Sequence, residues 1–194
     1  MSTGYETGGR ARQKQRTRGV LVAAARQLVT DGLVPTVDAV AERSGISRTT
    51  AYRYFPNQTS LLSVAHPEVQ AVSLLTEPAE TDVAKRLDDV VRQFTRLIVD
   101  TEPQQRTMLR LSLTEGPAEL PLRQGRAIGW ISEALEPLRT DLTDPQLHRL
   151  VIAIRATIGI EALVWLVDVA GLSRTEAAQL MRRSAAALLA DALR

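Results

Sequence analysis

The stretch Pro35–Leu62, PTVDAVAERSGISRTTAYRYFPNQTSLL, constrains the fold of this chain more than any other segment. Its apolar residues recur at helical spacing on both sides of a break at Ser44–Gly45, which predicts two short helices joined by a tight turn. Thr36 and Ser47 are placed to cap the two helices, and Gly45 supplies the positive φ with which a helix commonly ends. The stretch therefore predicts a helix-turn-helix unit.

The second of these helices has two different faces. Ala51 and Phe55 lie one turn apart and are expected to point inward. The opposite face is polar, basic and aromatic, and it consists of Arg48, Thr49, Tyr52 and Arg53. Such a face suits the major groove of DNA, because Arg pairs with guanine, Thr touches a thymine methyl group and Tyr reaches a phosphate. The alternative is a pair of surface helices without a binding role, since the same geometry occurs in other proteins.

The segment Ser47–Leu62 closely resembles the recognition helix and following turn of tetracycline-repressor (TetR) type regulators, and the resemblance extends over roughly residues 16–65. It implies an all-α homodimer, in which an N-terminal three-helix DNA-binding domain with a helix-turn-helix is joined to a larger C-terminal helical domain for ligand binding and dimerisation. It also implies a transcriptional regulator, more often a repressor than an activator, that a small-molecule effector releases from DNA. A two-fold dimer is expected to bind a palindromic double-stranded operator.

The predicted DNA contacts lie in and around the two short helices. They are Thr36, Ser47, Arg48, Thr49, Thr50, Tyr52, Arg53, Tyr54 and Gln58. Two of these residues depart from the usual pattern of the family. Gln58 stands where a Lys often contacts phosphate, so this contact is expected without a charge. Thr49 stands where Gly, Pro or Ala is common, and it bears on which base sequence is read.

Charge is distributed unevenly along the chain. Residues 1–60 carry nine Lys or Arg against four Asp or Glu, a net charge of +5, whereas residues 61–194 carry a net charge of −3. A basic N-terminal module joined to a mildly acidic body is expected where only the first part meets phosphate. We predict a basic arm at residues 1–15, a DNA-binding domain at residues 16–65, and an effector-binding and dimerisation domain at residues 66–194.

The arm lacks apolar periodicity and contains Gly4, Gly8 and Gly9, so it is predicted to be disordered. Five basic residues in and beside it can follow a DNA backbone or enter a minor groove: Arg10, Arg12, Lys14, Arg16 and Arg18. The alternative is a solvated tail that only aids solubility.

The C-terminal part ends in two predicted helices, at about residues 145–170 and 174–193. The first is apolar almost all round, which implies burial on more than one side. A membrane span is not expected, because Arg155, Glu161 and Asp168 interrupt the apolar run. We expect both helices to pack against their symmetry mates in an obligate homodimer. The residues expected to be covered by the partner include Leu150, Ile154, Ile158, Trp165, Met181 and Leu188.

An effector pocket is predicted in the larger domain, bordered by residues such as Met108, Trp130, Arg155 and Glu161. Arg155 and Glu161 lie inside an apolar helix, and a buried charge needs a partner. Each is therefore expected to face a neighbouring charge, the dimer surface, water or a polar ligand. Trp130 either borders the pocket or fills the core.

Little in the sequence supports catalysis or metal binding. The chain has no Cys, its two His lie in unrelated contexts, and it has neither a phosphate-binding Gly loop nor a metalloprotease motif. We therefore predict a protein that is not an enzyme and needs no metal or cofactor. No apolar signal segment opens the sequence, and a cytoplasmic location is expected. The alternatives are a DNA-binding adaptor controlled by a protein partner, with a solid core in place of a pocket, and an all-helical carrier or enzyme.

Overall fold

The computed structural model describes residues 4–66, 71–76, 80–114 and 125–194, without the side chains of residues 4–8, 10 and 114. Every regular element in these ranges is a helix, which confirms the predicted all-α class. The chain forms two compact units. Unit 1 comprises residues 1–70 and 110–122, and unit 2 comprises residues 71–109 and 123–194.

Unit 1 contains α1 (Gly4–Thr30), α2 (Val37–Ser44), α3 (Arg48–Tyr54) and α4 (Gln58–Ala65). Its core is formed by one face of each helix, where apolar side chains recur at helical spacing. The members of this core are Leu21, Val22, Ala24, Ala25, Leu28, Val37, Val40, Ala41, Ala51, Phe55, Leu61 and Ala65. The second half of α1 thus forms the support on which the two short helices pack.

The prediction of a disordered arm is wrong for residues 4–15, because α1 begins at Gly4. Residues 10–18 consist mainly of Arg, Gln, Lys and Ala, which favour helix, and they extend the packed part of α1 without a Pro or a capping residue to stop it. This propensity outweighs the cost of Gly8 and Gly9, about 1 kcal/mol each in a helix. Residues 1–3 lie outside the described residues.

Unit 2 is organised around a single apolar core. Its helices are α5 (Val83–Asp100), α6 (Glu102–Thr114) as far as residue 109, α7 (Arg126–Ala134), α8 (Asp144–Thr157), α9 (Ile160–Val164) and α10 (Arg174–Ala192). A 3₁₀ turn at Glu136–Thr140 follows α7, and a π-helical turn at Trp165–Val169 follows α9. The core collects residues from α5 and α7–α10, with Ile131, Ile154 and Leu163 fully buried.

Four charged residues form an ion-paired network within unit 2. The Glu102 side chain is 7% exposed and accepts hydrogen bonds from Arg106, at 2.7 Å, and from Arg174 at the start of α10. Arg106 also donates to both carboxylate oxygens of Asp168, at 2.6 and 2.8 Å. Burial alone would raise the pKa of Glu102, but the hydrogen bonds from Arg174 and Arg106 outweigh it and hold the pKa below its usual range. The network ties the start of α6 to the segment between α9 and α10.

The predicted continuous helix at residues 145–170 is wrong, because α8 ends at Thr157 and α9 begins only at Ile160. Gly159 separates them with φ of 117°, a conformation that residues with a side chain rarely adopt. Arg155 folds back into the gap and donates from Nη1 to the Ile158 carbonyl at 2.7 Å. A Cβ at Gly159 would lie 2.5 Å from that nitrogen. The break therefore depends on Gly159 and on the side chain of Arg155.

By length and composition alone, the segment Asp144–Val169 could cross a membrane. This is weak evidence, because the interior helix of a soluble protein meets the same criterion. The segment is also interrupted at Gly159, and Ile154 and Leu163 on either side of the break are buried in the core of unit 2.

We expect Gly159→Ala to lower the free energy of unfolding by about 1–3 kcal/mol, since it imposes a strained φ and displaces the Arg155 guanidinium. Gly129→Ala is the matched control. Gly129 is an exposed residue within α7 with no atom within 4 Å of the added Cβ, so Ala there should stabilise the helix slightly. Thermal or urea unfolding of both variants checks this, and a Gly159→Ala protein as stable as the control would contradict it.

Candidate nucleic-acid interface

Three local features define the ends of α2 and the start of α3. The amide of Ala39 donates to Thr36 Oγ1 at 3.2 Å, and the amide of Thr50 donates to Ser47 Oγ at 3.3 Å, so both predicted N-caps are confirmed. Gly45 ends α2 with φ of 67°, as predicted. These contacts lie within three or four residues of one another, which is why the sequence pattern was sufficient to find them.

Small residues set how α3 lies on unit 1. Ala41 of α2 and Ala51 of α3 are buried, at 2% and 0% exposure, and Phe55 directly after α3 is 2% exposed. Small side chains allow two helices to approach closely, and the Phe ring fills the remaining space. Because Ala51 and Phe55 are directed into the core, the opposite face of α3 is turned outward.

The outward face of α3 carries the residues expected to read DNA. The Arg48 side chain is 75% exposed and Tyr52 is 44% exposed, and Thr49 and Arg53 are also exposed. Thr50 and Tyr54 are half-buried, and the Arg53 guanidinium lies over the Tyr54 ring with 5.8 Å to its centroid. The predicted residues of α3 are therefore together on one helix, with the four on its outward face accessible to a ligand.

Asp38, which was not among the predicted contacts, lies against this face. Its Oδ1 is 3.4 Å from Arg48 Nε, and its Oδ2 accepts a hydrogen bond from the Tyr52 hydroxyl at 3.3 Å. Asp38 belongs to the first turn of α2, where a carboxylate is also favoured by the helix dipole. No local pattern indicates this arrangement, because it joins residues 10 and 14 positions apart on two helices.

The basic part of α1 extends the interface beyond the two short helices. Arg12, Lys14, Arg16 and Arg18 are exposed along α1, whereas the side chain of Arg10 lies outside the described residues. Arg18 also lies over the Phe55 ring, 5.5 Å from its centroid. A cleft between α1 and α3 is lined by Gln13, Lys14, Thr17, Thr50, Arg53 and Tyr54. Cationic and hydroxyl groups in one cleft suit the oxygens of a phosphate.

Gln58 makes a hydrogen bond within the protein. Its side-chain Nε2 donates to the carbonyl of Pro35 at 2.9 Å, and the residue is half-buried. This bond ties the start of α4 to Pro35, the residue before the N-cap of α2. One N–H of the amide group is therefore used within the protein, and only its second N–H and its oxygen remain for a phosphate or a water.

The residues predicted to border an effector pocket do not all share one environment in unit 2. Met108 and Trp130 are 4% and 3% exposed, and the Trp130 ring meets the Phe94 ring edge-on with 5.7 Å between centroids. Arg155 and Glu161 pair with each other, with 3.3 Å between Nη2 and Oε2. Arg155 also lies over the Phe94 ring, at 5.8 Å. A neighbouring charge, one of the predicted alternatives, is thus the partner of each.

Two hollows in unit 2 are lined mainly by apolar side chains. One lies between α5 and α10, holds about 150 Å³, and is lined by residues that include Leu87, Val91, Ala185 and Leu189. The Arg182–Asp88 ion pair, at 2.8 Å, borders it. The other is a surface hollow that Glu161 shares with Trp165 and Leu180. The first was not predicted, since it depends on how α10 crosses α5.

Comparisons with known proteins agree with this geometry. The sequence family described as "Bacterial regulatory proteins, tetR family" matches residues 20–65. The fold is similar to that of a TetR transcriptional regulator from Rhodococcus sp. RHA1, with a TM-score of 0.62 at 20% sequence identity, over 90% of this chain and 96% of that chain. A search of curated proteins found no match. The helix-turn-helix of residues 36–55 lies inside the matched segment, so residues 20–65 form a helix-turn-helix domain of the TetR family.

Proposed function

We propose that this protein is a sequence-specific transcriptional regulator that binds a palindromic duplex as a homodimer. The observation that carries the proposal is the outward face of α3, where Arg48, Thr49, Tyr52 and Arg53 are exposed on a helix fixed by the buried Ala51 and Phe55. Arg and Tyr on a rigid helix that fits the major groove suit direct base readout. Selection of bound sequences from random DNA tests the proposal, and failure to enrich a palindrome would contradict it.

We further infer that the protein acts as a repressor in the cytoplasm and that a small-molecule effector releases it. The match of residues 20–65 to the TetR family supports this inference, as does the separate core of unit 2. Met108, Trp130, Arg155 and Glu161 stay the proposed pocket residues. An effector acts only if it binds the released state more tightly, because equal affinity for both states shifts nothing. A compound screen for release of the selected duplex measures this, and only compounds that leave the protein folded count as effectors.

An exposed apolar surface on α8 and α10 and the segment between them supports a homodimer. Ile152, Trp165, Val169 and Leu180 are 41%, 58%, 71% and 42% exposed. Of the set expected from sequence, Trp165 is among these exposed residues, whereas Leu150, Ile154, Ile158 and Met181 are buried within the chain itself. Apolar side chains left in water cost about 25 cal/mol for each Å² of surface, and a second copy of the chain would cover them.

We expect sedimentation at micromolar concentration to give a dimer, and we expect Trp165→Asp to raise its dissociation constant at least about tenfold, because the charge would be desolvated in the interface. Val72→Asp is the control, since Val72 is 94% exposed and lies outside the proposed surface. A stable wild-type monomer would rule out the homodimer.

We expect Lys14→Ala to weaken binding to every duplex by a similar factor. The slope of log K against log salt should shrink by about one unit, as for one lost phosphate contact. The reason is that Lys14 lines the cleft beside α3, whose cationic and hydroxyl groups suit the DNA backbone. Lys85, the other Lys of the chain, is in unit 2, and Lys85→Ala should leave the slope unchanged. Equal slopes for both variants would show that Lys14 does not contact phosphate.

We expect Arg48→Ala to cost about 1–3 kcal/mol of binding free energy on the selected duplex and to relax the preference at one base position, as for a lost bidentate contact to guanine. Affinities for the selected duplex and for random DNA measure both effects. Arg96→Ala is the control, because Arg96 is an equally exposed cation of α5, 78% accessible. Equal losses on the two duplexes would show that Arg48 contacts phosphate and not a base.

A further inference from the structure

We propose that Asp38 is a specificity-determining residue of the DNA interface, which holds Arg48 and Tyr52 in the arrangement that reads bases. The inference rests on the proposed function in DNA binding. Its basis is that one carboxylate contacts both side chains, through Oδ1 to Arg48 Nε at 3.4 Å and through Oδ2 to the Tyr52 hydroxyl at 3.3 Å. Arg48 and Tyr52 are one turn apart on α3, so a single group on α2 orients two neighbouring readers.

The contact to Arg48 is compatible with base recognition. It is made through Nε, so end-on pairing of the two Nη groups with guanine O6 and N7 remains chemically available. A flexible Arg side chain that is 75% exposed loses rotamer freedom when it binds. Asp38 restricts the guanidinium before DNA binds, so less side-chain conformational entropy is lost on binding.

The contact to Tyr52 determines whether its hydroxyl group acts as a hydrogen-bond donor or acceptor towards DNA. A phenol has one proton, and Tyr52 donates it to Asp38. The oxygen then presents lone pairs to a ligand, which suits an amino group in the major groove, N6 of adenine or N4 of cytosine. A phosphate oxygen is also an acceptor, so it cannot form a hydrogen bond with a hydroxyl group whose proton is donated to Asp38. Asp38 thus turns Tyr52 from a phosphate contact into a reader of amino groups.

The charge of Asp38 acts in the same direction. The carboxylate side chain is 48% exposed in the most basic part of the chain, and it repels phosphates that approach Arg48 without a matching base. Non-specific binding depends mainly on phosphate neutralisation, so it is weakened more than binding to the matched site. Asp38 therefore raises the ratio of specific to non-specific affinity through both orientation and repulsion.

The test compares Asp38→Ala with Glu42→Ala, using the selected duplex and a random duplex of the same length. Both variants remove one negative charge from α2, but Glu42 is exposed and makes no ion pair with α3 among the described contacts. We expect Asp38→Ala to lower the ratio of the two affinities about tenfold and to relax the A or C preference opposite Tyr52. Glu42→Ala should change the ratio less than about twofold. Equal melting temperatures of the free proteins would separate these effects from unfolding.

Combination with Arg48→Ala and Tyr52→Phe tests whether Asp38 acts through its partners. In the protein that carries both changes, Asp38→Ala should lower the ratio no more than Glu42→Ala does, since neither contact remains to be lost and only the charge is removed. An Asp38→Ala protein with an unchanged ratio, or with the same change as Glu42→Ala, would overturn the inference and leave DNA binding intact. A wild-type protein that selects no sequence would overturn the proposed function and the inference together.

Discussion

The close approach of α2 and α3 is the constraint on which the proposed interface depends. Ala41 and Ala51 are buried on these helices, and the ring of Phe55 is buried beside them. A larger residue at either Ala would force the helices apart, because a core packed at normal density has no room for added methylene groups. The outward direction of Arg48 and Tyr52 is therefore set by side chains that no DNA would touch.

Unit 2 also depends on a small residue, Gly159, but here the side chain packed beside it is the charged Arg155 and not an aromatic ring. Gly159 interrupts the apolar segment between α8 and α9, and the Arg155 guanidinium occupies the space beside it. Arg155 is satisfied there by the Ile158 carbonyl, by Glu161 and by the face of Phe94. A half-buried cation is tolerated because each of these groups compensates part of its lost hydration. In the sequence, Arg155 is only a charged residue within an apolar segment. In the structure it stabilises the break between α8 and α9.

The parts of the fold that the sequence predicted are those set by contacts between near neighbours. Thr36, Gly45 and Ser47 act within their own turns. The predictions that were wrong concern features set by interactions beyond a single turn. The helicity of residues 4–15 depends on continuation from the packed part of α1, and the break at Gly159 depends on a side chain four residues away folding back. Burial of Ile154 within its own chain depends on the whole of unit 2.

Asp38 shows why a candidate site can be found from sequence while its chemistry cannot. The exposed face of α3 follows from periodicity, and its residue types alone suggest that Tyr52 donates to phosphate. Only the position of α2 shows that a carboxylate already accepts the Tyr52 proton and meets Arg48. An acid among basic residues would be expected to weaken DNA binding through its charge alone. Because it contacts two side chains on the reading face, its effect instead differs between matched and random DNA, which is the property that a regulator requires.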